Sequence, residues 1–193
     1  IFNYTFFNKM SLDIIIGPMF SGKTTELIRR LTTYNSIGKK CVYINSSLDN
    51  REDTNFSTHN PLLNSINIDS FKIDKINYDF VNMVKDYDVI GIDESQLFEG
   101  FLELCVKRLV DTLNKIVIVS GLNGDYKKRK FGKILDLIPN CDNIIKLYPY
   151  CKTCSDEGIL NKALFSKKIN SCEDVIDISY DKYIPVCRKC YNR

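Results

Sequence analysis

Leu12-Asp13-Ile14-Ile15-Ile16 runs directly into Gly17-Pro18-Met19-Phe20-Ser21-Gly22-Lys23-Thr24. The first five residues are the short apolar run expected of a strand buried on both faces. The next eight satisfy G-x-x-x-x-G-K-[ST]. After them Leu27, Ile28 and Leu31 recur at helical spacing over residues 23–36, and Gly38 supplies a stop. Strand, glycine loop and helix in that order are the context the octapeptide needs to cradle phosphate. Glycines let backbone N–H groups face an anion, and the helix N-terminus adds its dipole. Lys23 is placed to reach β- and γ-phosphates, and the Thr24 hydroxyl to hold Mg²⁺. The stretch therefore predicts a site for a nucleoside triphosphate.

Outward from this loop, residues 41–45 (CVYIN), 88–93 (DVIGID) and 115–122 (KIVIVSGL) read as further buried strands, and 144–147 as a last one. Residues 101–114 read as an amphipathic helix with Leu102, Cys105, Val106, Leu109 and Leu113 on one side. Residues 46–70, rich in Ser, Asn and Asp, read mostly as loop. Strands alternating with helices predict an α/β fold around a mainly parallel sheet. The strand at 88–93 closes on Asp93-Glu94. Asp93 fits a carboxylate that supports Mg²⁺ beside the phosphate loop, and Glu94, projecting differently, fits a base for a substrate hydroxyl or a water. The competing reading is an acidic pair that caps helix 101–114.

Eight cysteines are the one unusual count in the composition. Cys151/Cys154 and Cys187/Cys190 form two Cys-x-x-Cys pairs, a spacing that lets four thiolates share one tetrahedral Zn²⁺ in a closed, structural site. A disulfide framework is the alternative, and the absence of a secretory pattern weighs against it. Cys41, Cys105 and Cys141 lie among apolar residues as small core fillers, and Cys172 falls in the loop between the pairs. The texture predicts residues 1–9 as a disordered extension ahead of Met10, an α/β domain over 10–147, and a zinc-anchored appendage over 148–193.

Over 193 residues, 44% hydrophobic and 26% charged is ordinary globular composition, which excludes wholesale disorder. The net charge of +3 is too mild for a dedicated nucleic-acid binder. No apolar run is long enough to span a membrane, so a cytoplasmic protein with neither nucleic-acid nor membrane partners is expected. The basic run Lys127-Lys128-Arg129-Lys130 with Lys133 reads first as solvated surface. His59, the single histidine, reads as a packing or loop-ordering residue.

Six segments together resemble the type II thymidine kinases, the cellular and poxvirus-like group: GPMFSGKTTELIRR (17–30), DNR (49–51), THN (58–60), VIGIDESQLF (89–98), GLNGDYKKRKFG (121–132) and DKYIPVCRKCY (181–191). The resemblance implies a P-loop NTPase-type sheet flanked by helices, plus a small zinc-binding domain whose lasso loop closes over a nucleoside. It implies transfer of the γ-phosphate of ATP to the 5′-hydroxyl of deoxythymidine, with Glu94 as general base. Residues 17–24, Asp49, Arg51, Asp93 and Gln96 would serve the ATP side, Thr24 and Asp93 supporting Mg²⁺. Met19, Leu122, Tyr126, Phe131, Val175, Ile176, Asp177, Ile178, Ser179 and Tyr183 would meet the nucleoside. It further implies a homotetramer inhibited by thymidine triphosphate. Tyr126 stands where the family usually has phenylalanine, and Asn123 and Asp125 where it has aspartate and threonine. The lasso is about one residue shorter, with Ser179-Tyr180 in place of a glycine pair.

Two other readings of the same motifs compete: a zinc-containing, nucleic-acid-binding P-loop ATPase, and a regulatory nucleotide-binding protein without turnover.

Overall fold

The computed structural model describes residues 10–49, 68–169 and 182–193. Its centre is a six-stranded sheet in the order β3-β2-β5-β7-β1-β8, every pair parallel. The strands are β1 (Ser11–Gly17), β2 (Cys41–Ser46), β3 (Asp69–Ile73), β5 (Val89–Ile92), β7 (Ile116–Leu122) and β8 (Asn143–Lys146). The five predicted strands are all present, and β3 joins them from the end of the stretch read as loop.

Side chains alternate across the central strands. Ile15, Cys41, Tyr43, Val89 and Ile118 face helix α1 (Lys23–Ser36) and pack on Leu27, Ile28 and Leu31. Leu12, Ile14, Ile16, Val42, Ile44, Ile90, Ile92, Val117 and Val119 point the other way, onto Phe80, Val81 and Val84 of α2 (Tyr78–Val84) and Leu102, Cys105 and Val106 of α3 (Leu102–Lys107). Burial on both faces is why these strands read as continuous apolar runs. Gly91 lets α1 close on the sheet: a Cβ there would stand 2.7 Å from Leu31 Cδ1.

The helix expected over 101–114 begins at Leu102 and widens into a π-turn at Arg108–Thr112, with Phe101 at its N-cap. The Asp93-Glu94 pair therefore does not cap it. Cys41 and Cys105 are buried fillers as expected, and half-buried Cys141 packs on the core's edge. Two residues, Lys75–Ile76 (β4), pair with Glu99–Gly100 (β6) outside the main sheet.

Past β8, α4 (Lys152–Asp156), the antiparallel hairpin of β9 (Phe165–Lys168) and β10 (Tyr183–Val186), and α5 (Arg188–Tyr191) surround the four paired cysteines. Among the described residues no helix is long and apolar enough to cross a membrane. Residues 1–9, His59 and Cys172 lie outside the described residues.

Candidate active site

The carboxyl ends of β1, β2, β5 and β7 meet on one rim of the sheet, where parallel α/β folds place ligands. Strand β1 ends at Gly17. A Cβ there would lie 2.5 Å from the Leu147 carbonyl oxygen and 2.6 Å from Ser21 Oγ, so only glycine lets the chain turn at this point. The loop is closed on itself. Ser21 Oγ donates to the Pro18 carbonyl at 2.9 Å, and buried Lys23 extends its Nζ to the same oxygen at 3.0 Å. Phe20 (φ 65°) takes left-handed backbone, a strained shape for a residue with a Cβ, and Gly22 (φ 78°) takes it without strain, as loops that wrap an anion do. Gly22 also caps α1, so the helix N-terminus opens onto the loop without a side chain across it.

Asp93, wholly buried after β5, is tied by both oxygens. Oδ2 accepts from Thr24 Oγ1 at 2.6 Å and from the Tyr43 hydroxyl at 2.9 Å. Oδ1 accepts from Ser120 Oγ at 2.6 Å and from the Glu94 backbone N–H at 2.9 Å. Burial raises the Asp93 carboxyl above the ordinary aspartate range, the Glu94 charge adds to this, and donors from Ser120, Thr24 and Tyr43 oppose it. Burial, followed by the charge on Asp93, likewise holds the Tyr43 phenol far above its ordinary value, so it remains a donor. A carboxylate joined to the loop threonine is an all-oxygen donor set of the kind Mg²⁺ takes.

Glu94 differs from its neighbour. Its backbone is left-handed (φ 45°, ψ 41°), which sends its side chain another way. Gln96 Nε2 donates to Glu94 Oε2, while Gln96 Oε1 accepts from the Leu122 N–H at 2.9 Å. The second bond fixes which end of the amide faces Glu94. Two glycines make room for Gln96: a Cβ on Gly121 would sit 2.7 Å from its Oε1, and one on Gly132 2.5 Å from its Cα. Leu122 and the loop after Phe131 are thereby drawn to the carboxylate pair. Leu122 also stands beside Gly17 in the β1–β7 register.

Asp49 is buried in the turn after β2, where Asn45 Nδ2 donates to its Oδ2 at 2.9 Å. Its charge is felt by Tyr43, which sets it near Asp93. Tyr126 and Tyr183 come together, ring centroids 6.3 Å apart, with the Lys168 ammonium 5.2 Å from one ring and 5.8 Å from the other. Met19, in the phosphate loop, donates its N–H to Ser166 Oγ on β9 at 3.0 Å. Arg51 and Val175, Ile176, Asp177, Ile178 and Ser179 lie outside the described residues.

Each Cys-x-x-Cys pair spans the first turn of a short helix: Cys151 caps α4 and Cys154 lies within it, and Cys187 and Cys190 relate to α5 in the same way. Spacing of i, i+3 turns both thiols of a pair to one side. The four sulfurs lie within 4.8 Å of one another, with Cys154–Cys187 at 3.8 Å and Cys154–Cys190 at 3.5 Å. Tetrahedral Zn²⁺ with bonds of about 2.3 Å spaces its sulfurs by about 3.8 Å, so the quartet fits that ion. Asn161 Nδ2 donates to Cys154 Sγ at 3.4 Å, an outer contact typical of metal thiolates. Among the described residues every cysteine is a free thiol.

Tyr43, Ser120 and Ser166 escaped the sequence reading. The signal for Ser120 was there: a hydroxyl inside the apolar run KIVIVSGL needs a buried partner. Tyr43 reads as a core aromatic until its hydroxyl is accounted for. The basic run is exposed, as expected, and it also makes contacts of its own. Asp125 accepts from the N–H groups of Lys127 and Arg129 and from Arg129 Nε, and Lys128 lies 3.7 Å over the Tyr191 ring.

A family model described as "Thymidine kinase" matches residues 10–191. A "Thymidine kinase" of Choristoneura fumiferana entomopoxvirus is 42% identical, the match covering 95% of this chain and 97% of that one. Its namesake in Choristoneura biennis entomopoxvirus is 43% identical over the same shares, and that of Variola virus is 42% identical over 93% of this chain and 96% of its own.

Proposed function

The chain belongs to the thymidine kinase family, and from that membership and the site's geometry we propose that it transfers the γ-phosphate of ATP to the 5′-hydroxyl of deoxythymidine, giving dTMP and ADP. The observation that carries this reading is the division of labour between two adjacent carboxylates. Asp93 has both oxygens committed to Thr24, Tyr43, Ser120 and the Glu94 N–H, so it serves as an anchor. Glu94, turned another way by its left-handed backbone and oriented by Gln96, serves as the general base. A primary alcohol is a weak nucleophile, and a fixed carboxylate within reach of its proton is what phosphoryl transfer needs from the protein.

Residues 17–24 would hold the triphosphate, with Lys23 swinging from the Pro18 carbonyl to a phosphate oxygen. Asp49, beside Asn45, and Arg51 would contribute on the same side. Thr24 and Asp93 would hold Mg²⁺, which neutralises phosphate charge when bound. Met19, Leu122, Tyr126, Phe131 and Tyr183 would enclose the nucleoside, with residues 175–179 closing over the base. Cys151, Cys154, Cys187 and Cys190 would bind structural Zn²⁺. Division of the chain at about residue 147, a cytoplasmic homotetramer and feedback inhibition by thymidine triphosphate complete the reading on family grounds.

Family membership does not favour the nucleic-acid-binding ATPase. Incubation with γ-labelled ATP and deoxythymidine is expected to yield labelled dTMP. Label released only as inorganic phosphate, and faster with DNA present, would overturn the kinase reading.

A further inference from the structure

The cysteine module makes a hydrogen bond to each of the two loops that carry substrate. On one side Ser166, buried on β9, accepts the Met19 N–H of the phosphate loop at 3.0 Å. On the other, the Tyr191 hydroxyl, next in sequence to Cys190, donates to the Tyr126 carbonyl at 2.6 Å. Each contact is backed by packing. Ser166 is locked opposite Pro185 in the hairpin register. The Tyr191 ring packs tilted against Phe165, centroids 5.3 Å apart, and the Lys128 ammonium rests 3.7 Å over the Tyr191 ring and 4.7 Å over that of Phe165. Lys128 itself has left-handed backbone (φ 63°) and also donates to Asn192 Oδ1 at 3.2 Å. A strained loop residue drawn onto the C-terminal helix marks a docked loop rather than a free one.

We infer that the module is a two-point clamp in which Ser166 positions the phosphate loop for ATP and Tyr191 positions the Tyr126 loop for the nucleoside. The inference rests on the functional reading for the identity of the ligands. Its physical content is local. Taking the Met19 N–H for Ser166 leaves the remaining loop amides to the phosphates and fixes where they point. Pinning the Tyr126 carbonyl fixes the backbone from which its ring meets Tyr183. Neither Ser166 nor Tyr191 touches a reacting atom, so both are positioning residues, and their signatures fall on different substrates.

The test is a double dissociation. Ser166→Ala is expected to raise KM for ATP and the Kd of a non-hydrolysable ATP analogue about fivefold, the worth of one ordinary hydrogen bond, with a smaller rise in KM for deoxythymidine because Met19 also faces the nucleoside. Ser166→Thr, which keeps the hydroxyl, is expected to restore analogue binding. Tyr191→Phe, which keeps the ring under Lys128, is expected to raise KM for deoxythymidine by a similar factor and spare ATP. Equal shifts of both ligands in either variant, or no shift of either, would overturn the clamp. If the unaltered enzyme makes no dTMP, the functional reading fails, and the analogue titration of Ser166→Ala still decides the clamp.

Discussion

The sheet body and the cysteine module are held together by different means. In the body, β1, β2, β5 and β7 are covered on both faces by helices, and isoleucine, valine and leucine supply two continuous clusters. In the module, the corresponding cluster is four cysteines with Ala163 and Val186, edged by Phe165, Ile184 and Tyr191. Apolar burial is sufficient for the first; among the described residues it is far smaller in the second, where a metal on the four cysteines would fix the geometry. The contrast teaches how the site is divided. Carboxylates and phosphate loop stand on the sheet, whereas the contacts to Met19 and Tyr126 arrive from the region built around the four cysteines.

Removing a thiolate is the hardest test of that contrast. Cys154→Ser is expected to drop zinc from about one ion per chain to near none, measured by atomic absorption, and to open the module to proteases. The sheet's circular-dichroism signal should persist. Collapse of the whole chain on loss of one cysteine would show that the two regions are not held independently.

Leu31→Ala attacks the other side. Leu31 is fully buried against Gly91, and its truncation should cost about 2–5 kcal/mol in urea unfolding while zinc content stays unchanged. A cost well below that range would mean α1 can settle onto the sheet and that the close approach at Gly91 is not limiting.

The smallest effect concerns α1's surface. Hydrogen bonds from Arg29, and then Arg30, hold the Glu26 carboxyl down at about 2 against an ordinary 4.5. A depressed carboxylate stabilises the fold above its unfolded value, and that contribution is lost as pH falls from about 4.5 towards 2. The melting-temperature gap between the native chain and Glu26→Gln should therefore be present at neutral pH, narrow below about pH 4.5 and close only near pH 2. A gap that is unchanged in acid would remove the ion pair from the account.

What the sequence revealed follows the same division. The unit from Leu12 to Ser36 was readable because an apolar run, a glycine loop and an amphipathic helix each carry their own local signal. Strand β3 was not: Asp69-Ser70-Phe71-Lys72-Ile73 lies on the sheet's edge with little buried, so it has no apolar run to betray it. The π-turn at Arg108–Thr112 keeps Leu109 and Val110 buried, and nothing in the helical pattern distinguishes it. Within the site, Lys23, Thr24, Asp93 and Glu94 were legible because motif spacing names them. Tyr43 and Ser120 hold Asp93 across 50 and 27 residues, and Ser166 reaches Met19 across 147. Such partners are set by tertiary packing alone.

The central claim is that neighbouring carboxylates do different work, and Glu94→Gln tests it most directly. With the Gln96 contact available to an amide of the same shape, the variant should bind ATP as the native chain does. Its kcat for phosphate transfer to deoxythymidine should fall by about 10²–10⁴, the worth of a positioned general base. A variant that keeps the native kcat would contradict the account and return the catalytic role to another group.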